Sequence, residues 1–176
     1  VEMISAADLV PYRITGSMKE SITLADAYLE TIACPFTGSC LDIGLKGSYD
    51  FLDGYVVPHA CDNIVNLYNI WTYNIKHDYA HFVNVPHTQS KASFEFFEAE
   101  LGTSKRSLER FSGREVSAEG LNHSIQLYNE QRALVRKLYQ LRKQDPPLLS
   151  GTEIIKVMAA VMSIPVTEAN ELLKTI

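Results

Sequence analysis

Apolar residues recur at helical spacing along most of this chain and gather into short continuous blocks in two places. The stretch 2–8 reads as a helix. Leu9, Val10, Pro11, Tyr12, Arg13 and Ile14 read as a short strand, followed by a loop at Thr15, Gly16 and Ser17. Residues 39–45 predict a short helix closed by Gly47. The block 54–58 (GYVVP) has the compact apolar character of a buried strand in a parallel sheet. Cys61, Asp62 and Asn63 open the next helix, with Asp62 or Asn63 as its cap and Ile64, Leu67, Tyr68 and Trp71 on one face. Residues 80–86 (AHFVNVP) predict another strand. A long helix then begins near Lys91 with Phe94, Phe97, Leu101 and Leu108 on its stripe, and Gly113 ends it.

From Ser117 the chain becomes helical throughout. Leu121, Ile125, Tyr128, Val135, Leu138 and Tyr139 form one long stripe, stopped at residues 144–147 (QDPP). Ser150 and Glu153 have capping-box spacing and start another helix. Pro165 breaks that helix, and Thr167 is placed to cap a last one. Strand–helix alternation in the first part implies right-handed βαβ units and a parallel sheet. The fold class read from the pattern is α/β, a parallel sheet with covering helices, followed by a helical region. The division runs 1–113 for the α/β domain and 114–176 for the helices. Both termini fall inside helical patterns, whereas domains tend to end in polar, frayed residues. The expectation is a piece of a longer polypeptide.

Composition narrows the picture. A chain of 176 residues with 46% apolar and 21% charged residues has ample material for a core. Sixteen basic against 21 acidic residues give a net charge of -5, and no basic block interleaves with aromatics. A nucleic-acid partner is therefore not expected. The most apolar stretch, 154–164, is too short to span a bilayer and carries Lys156, so no membrane partner is expected either. Three cysteines, an odd number, argue against a secreted disulfide framework, and no signal peptide is read. The expected compartment is the cytoplasm.

Ligands of an open parallel sheet bind beyond the carboxyl ends of its strands. Three loops are expected at that edge: 15–17, 58–62 and 86–88. Two of them have the order strand, Pro, His, helix, with His59 and His87. Cys61 sits at a helix start, where the dipole and unsatisfied N–H groups favour a thiolate able to act as nucleophile or metal ligand. A lone cysteine is more often a small buried hydrophobe. Cys61 rises above that reading through its position, with His59 two residues before it and Asp62 directly after. His77, His81 and His123 read as surface or satisfied core histidines. Tyr68, Trp71, Phe94 and Phe97 read as core. Arg132, Arg136, Arg142 and Lys143 read as a solvated helix face. Cys34 and Cys40, with five residues between them, match no common zinc or ferredoxin spacing.

Residues 34–42 (CPFTGSCLD), 52–62 (LDGYVVPHACD) and 85–87 (VPH) together resemble the benzoyl-CoA reductase and 2-hydroxyacyl-CoA dehydratase family. So do residues 129–132 (NEQR), 141–147 (LRKQDPP) and 149–153 (LSGTE), in the same order along nearly the whole chain. The family's subunits are about twice this long, so the chain resembles an N-terminal half with its helical connector, without the C-terminal domain. The resemblance implies flavodoxin-like α/β domains and a pair of homologous subunits. It implies a 4Fe–4S cluster in a cleft, bound by three cysteines. It also implies an ATP-dependent activator, with its own cluster, that delivers low-potential electrons, and an acyl-CoA substrate. By motif position Cys34 and Cys61 match two cluster ligands, and the third is expected outside this chain. Cys40, inside a predicted helix, is expected to pack instead of ligating.

Within the family, ring reduction requires a proton donor near the substrate, whereas dehydration requires loss of a hydroxyl group and a β-proton. His59 lies two residues from Cys61, and an imidazole exchanges protons near neutral pH. With the wording of residues 55–62, this favours a benzoyl-CoA reductase-type oxidoreductase with His59 as catalytic residue. A 2-hydroxyacyl-CoA dehydratase subunit, a lyase, is the alternative. A further alternative is a non-catalytic iron–sulfur electron-transfer or binding subunit. If not a proton donor, His59 reads as a hydrogen-bonding neighbour of the cluster.

Overall fold

The computed structural model describes residues 1–30 and 32–176. In chain order its elements are α1 (Glu2–Ala6), a 3-10 turn (Ala25–Ala27), α2 (Pro35–Leu45), β1 (Gly54–Pro58), α3 (Asp62–Asn74), β2 (Tyr79–Val83), α4 (Lys91–Ser112), α5 (Ala118–Leu141), α6 (Gly151–Val161) and α7 (Val166–Lys174). The chain divides into two compact units, one formed by Ile14–Ser107 and one by Val1–Arg13 with Leu108–Ile176.

The first unit is built on a β1-α3-β2 crossover. β1 and β2 pair in parallel from Gly54 opposite Tyr79 to Pro58 opposite Val83. The His59 N–H continues the ladder to the Val83 carbonyl at 2.9 Å. α3 buries Leu67 and Trp71, with Ile64 and Tyr68 half-buried beside them, as their spacing predicts. α2 is buried from Thr37 to Gly44. Its start comes four residues earlier than the pattern predicts, because Pro35 has the fixed φ and missing N–H suited to a first helical position. Gly47 and Gly113, at φ +81° and +67°, stop α2 and α4 in a left-handed conformation that a Cβ disfavours.

Three side chains moor the extended segment before α2. The Tyr49 hydroxyl donates to the Thr15 carbonyl at 2.5 Å and accepts the Thr15 N–H at 3.1 Å. Ser39 Oγ accepts the Ser17 N–H and donates to its carbonyl. The buried Asp42 carboxylate accepts the N–H groups of Thr23, Leu24 and Ala25.

The other unit is helical. Leu138, Ile154, Val161, Ala169 and Leu173 form its core, joining α5, α6 and α7. Ser117 caps α5, and Ser150 with Glu153 completes the capping box of α6. Asn170, on α7, is buried and donates to the Leu127 carbonyl of α5 at 3.0 Å.

Several sequence expectations are corrected. Residues 9–14 form no strand: Pro11 lacks an N–H, and the Arg13 N–H donates instead to the Met162 carbonyl at the end of α6. The sheet among the described residues therefore has two strands, and the loop 15–17 is moored on α2 instead of following a strand. The first helix ends at Ala6, and Asp8 has φ 61°. α7 starts at Val166 after Pro165, with Thr167 inside it and no side-chain cap. Phe94 is 65% exposed, and Leu101, Ile125 and Tyr139 are also exposed, so these four leave their predicted stripes. No described helix is long and apolar enough to cross a membrane.

Candidate cysteine site at the strand ends

Because β1 and β2 are parallel, the loops that follow them leave from one edge. β1 is followed by His59, Ala60 and Cys61, and Cys61 is the N-cap of α3, extended at φ -167° and ψ 169°. This corrects the expectation of Asp62 or Asn63 as cap: both lie inside the helix. The thiol makes no side-chain capping bond and is exposed. Cys34 is the N-cap of α2 and half-buried, again with no side-chain capping bond.

The two helix starts are tied to each other. The Cys34 N–H donates to Asn63 Oδ1, in the first turn of α3, at 3.5 Å. The Cys34 carbonyl accepts from Thr37 Oγ1 at 2.8 Å and from the Gly38 N–H at 3.1 Å. At the other ends of the helices, Gly44 lets α2 approach Trp71 of α3 so closely that an added Cβ would lie 2.6 Å from the indole. Contact at both ends means that α2 and α3 run side by side in one direction. Cys34 and Cys61 therefore begin their helices at the same end of the pair.

His59 is half-buried. Its ring centroid lies 4.8 Å from that of His87, edge-on, and 5.8 Å from Phe82. The loops after β1 and β2 thus bring together the two histidines that follow Pro58 and Pro86. Cys40 is buried within α2. His77 Nδ1 lies 2.9 Å from the Leu52 carbonyl, and His81 Nε2 lies 3.0 Å from Ser104 Oγ. A cavity of about 350 Å³, lined by Tyr55, Thr72, His77 and Ala80, lies toward the amino ends of the strands, away from the cysteines.

One charge lies deep behind this site. Burial pushes the Asp42 carboxyl up, but Lys46 Nζ at 2.5 Å and three backbone N–H groups outweigh it and hold the pKa well below the ordinary carboxylate range. Pattern reading gave Asp42 no role of its own and read Asn63 only as a candidate cap. The available signals were a carboxylate amid buried small residues of α2 and an amide directly after Cys61-Asp62.

Two thiols at uncapped helix starts suit a soft metal or an iron–sulfur cluster, because helix N–H groups stabilise thiolate and sulfide. Among the described residues no group of three or more His, Cys, Asp and Glu is placed to hold a metal ion. The donor set fits a cluster only as a partial set of two thiols.

The family model for the D-component of 2-hydroxyglutaryl-CoA dehydratase matches residues 1–176. The chain belongs to that family. Relatives of this D-component family include a benzoyl-CoA reductase subunit of Thauera aromatica, 32% identical over 175 residues, covering 98% of this chain and 45% of that protein. The (R)-phenyllactyl-CoA dehydratase beta subunit of Clostridium sporogenes is 25% identical over 158 residues, covering 89% of this chain and 42% of that protein. The (R)-2-hydroxyglutaryl-CoA dehydratase beta subunit of Acidaminococcus fermentans is 25% identical over 162 residues, with 90% and 42% covered. The chain spans less than half the length of these relatives. The D-component family thus includes subunits of acyl-CoA reductases and dehydratases.

Proposed function

We propose that this chain is the cluster-binding N-terminal half of an iron–sulfur subunit in an ATP-dependent acyl-CoA reductase of the benzoyl-CoA type. The observation that carries this reading is the pairing of Cys34 and Cys61 at the starts of two helices joined through Asn63. The higher identity to a benzoyl-CoA reductase subunit, 32% against 25% for the two dehydratase subunits, favours the reductase branch. In this reading β1 and β2 belong to a flavodoxin-like sheet completed by the rest of the subunit. A homologous second subunit and an activator with its own cluster complete a cytoplasmic enzyme.

Cys34 and Cys61 supply two thiolates to a 4Fe–4S cluster, and the third ligand comes from outside this chain. When bound, the cluster supplies low-potential electrons to the acyl-CoA. The chain's own residues do the rest. The α2 and α3 starts fix the two sulfurs at one end of the helix pair. His59 delivers a proton from its imidazole N–H to the substrate as negative charge builds there. His87, edge-on to His59, limits the orientations of that ring.

The family model is named for a dehydratase component, and this keeps the lyase reading as the second one. The deciding experiment offers the anaerobically purified enzyme, with its activator, benzoyl-CoA and a 2-hydroxyacyl-CoA in parallel. Two electrons and two protons converting the aromatic ring to a diene support the proposal. Loss of water from the hydroxyacyl-CoA, with the aromatic thioester untouched, would replace it by the dehydratase reading. An enzyme that holds a cluster yet turns over neither would leave a non-catalytic electron-transfer or binding role.

A further inference from the structure

We infer that Asn63 is a positioning residue for the cysteine pair, holding the Cys34 backbone to the helix that Cys61 begins; this rests on the reading of Cys34 and Cys61 as cluster ligands. As an N-cap, Cys34 has an N–H that points out of α2 and has no intrahelical acceptor. That N–H finds Asn63 Oδ1, across the helix pair, at 3.5 Å. The other side of the same residue is held within α2, where its carbonyl accepts from the buried Thr37 hydroxyl and from the Gly38 N–H. Cys34 is thus gripped on both backbone groups, once by its own helix and once by its neighbour's.

The asymmetry of the two thiols gives this grip its purpose. Cys61 follows β1 through two residues, and the His59 N–H is bonded into the sheet at the Val83 carbonyl. The sheet therefore sets the position of Cys61. Among the described residues no strand precedes Cys34. Residues 28–34 form no helix or strand among those described, and this segment leads directly into α2. Between them, the Gly44–Trp71 contact fixes the far ends of α2 and α3, and the Asn63 bond fixes the near ends. Without Asn63, α2 pivots about its glycine contact, and the Cys34 sulfur loses its register with Cys61.

The test uses the intact, anaerobically purified enzyme and follows cluster loss to an iron chelator by visible absorbance, with a thermal melt of each variant as the check on folding. Asn63→Ala is expected to speed cluster loss about 10-fold or more, the scale of losing a hydrogen bond that orients a ligand. Asn63→Asp keeps an acceptor for the Cys34 N–H and is expected to release its cluster at close to the native rate. Asn63→Gln, which carries the acceptor out by one methylene, is expected to release it faster, and it decides the question if Asn63→Ala does not fold. A native rate in Asn63→Ala or Asn63→Gln, or a rate in Asn63→Asp as fast as in Asn63→Ala, overturns the positioning role. Cys61→Ser is measured in parallel. If it keeps its cluster, the ligand reading itself fails, and the Asn63 inference fails with it.

Discussion

Replacing Asp42 by Asn removes one buried negative charge from α2, the helix that Cys34 begins, while keeping the shape of the side chain. In the native chain Oδ1 accepts three backbone N–H groups, at 2.8 Å from Thr23, 2.6 Å from Leu24 and 3.1 Å from Ala25. A hydrogen bond to a charged acceptor contributes about 1.5–3 kcal/mol and a neutral one about 0.5–1.5 kcal/mol. Three such bonds each weakened by about 1 kcal/mol cost about 3 kcal/mol in total. Lys46 is partly exposed, and solvent screens its share. The assay is equilibrium urea unfolding of the subunit, where a slope of about 1–3 kcal/mol per molar turns this loss into a midpoint lower by about 1–3 M. Limited proteolysis between residues 14 and 30 should accelerate as the mooring loosens. The sign with pH follows from the lowered pKa: the stabilisation is fully present above the unfolded carboxyl value and is lost as pH falls through the lower folded value. The gap between native and Asp42→Asn proteins should therefore hold steady from neutral pH down to about pH 5 and narrow progressively below about pH 4. A stability loss under about 0.5 kcal/mol, or a gap that widens in acid, would refute the reasoning.

Three other outcomes are expected. His59→Gln in the assembled enzyme should lower kcat for ring reduction with little change in KM, since a proton donor acts in the transition state; unchanged turnover removes His59 from the mechanism. Gly44→Ala should destabilise the subunit by about 1–3 kcal/mol through overpacking against Trp71, read as a lower thermal midpoint, and a neutral effect would mean that the α2–α3 contact is loose. Reconstituting the isolated 176-residue chain with iron and sulfide should give no stable cluster, because the ligand set is partial; about four irons per chain would make this half self-sufficient and Cys40 the third ligand.

Much of the helical framework was legible because it rests on local chemistry. Ser150 and Glu153 form the capping box their spacing announces, and Leu67 and Trp71 are buried on the expected face of α3. The strand at 54–58 lies where its apolar block predicts, whereas the block 80–86 forms a strand only over 79–83, ending before Pro86, which has no N–H for a ladder. Residues 9–14 misled because an apolar run does not reveal its hydrogen-bond partner, and theirs lies at Met162, about 150 positions away. The start of α2 was hidden because Pro35 and Gly38 read as loop residues, although proline suits a first helical turn. At the site, strand ends and helix starts singled out Cys61 and His59. The link from Cys34 to Asn63 spans 29 positions and depends on how two helices pack, which no local pattern encodes.

The central claim is that Cys34 and Cys61 hold iron while Cys40 only packs. The direct measurement is iron and sulfide content, with the visible spectrum, of the anaerobically purified enzyme carrying Cys34→Ser, Cys61→Ser or Cys40→Ser in turn. The account predicts that Cys34→Ser and Cys61→Ser each lose the cluster of this subunit while Cys40→Ser keeps it. Full iron in Cys61→Ser, or loss of iron in Cys40→Ser from a folded protein, would contradict it.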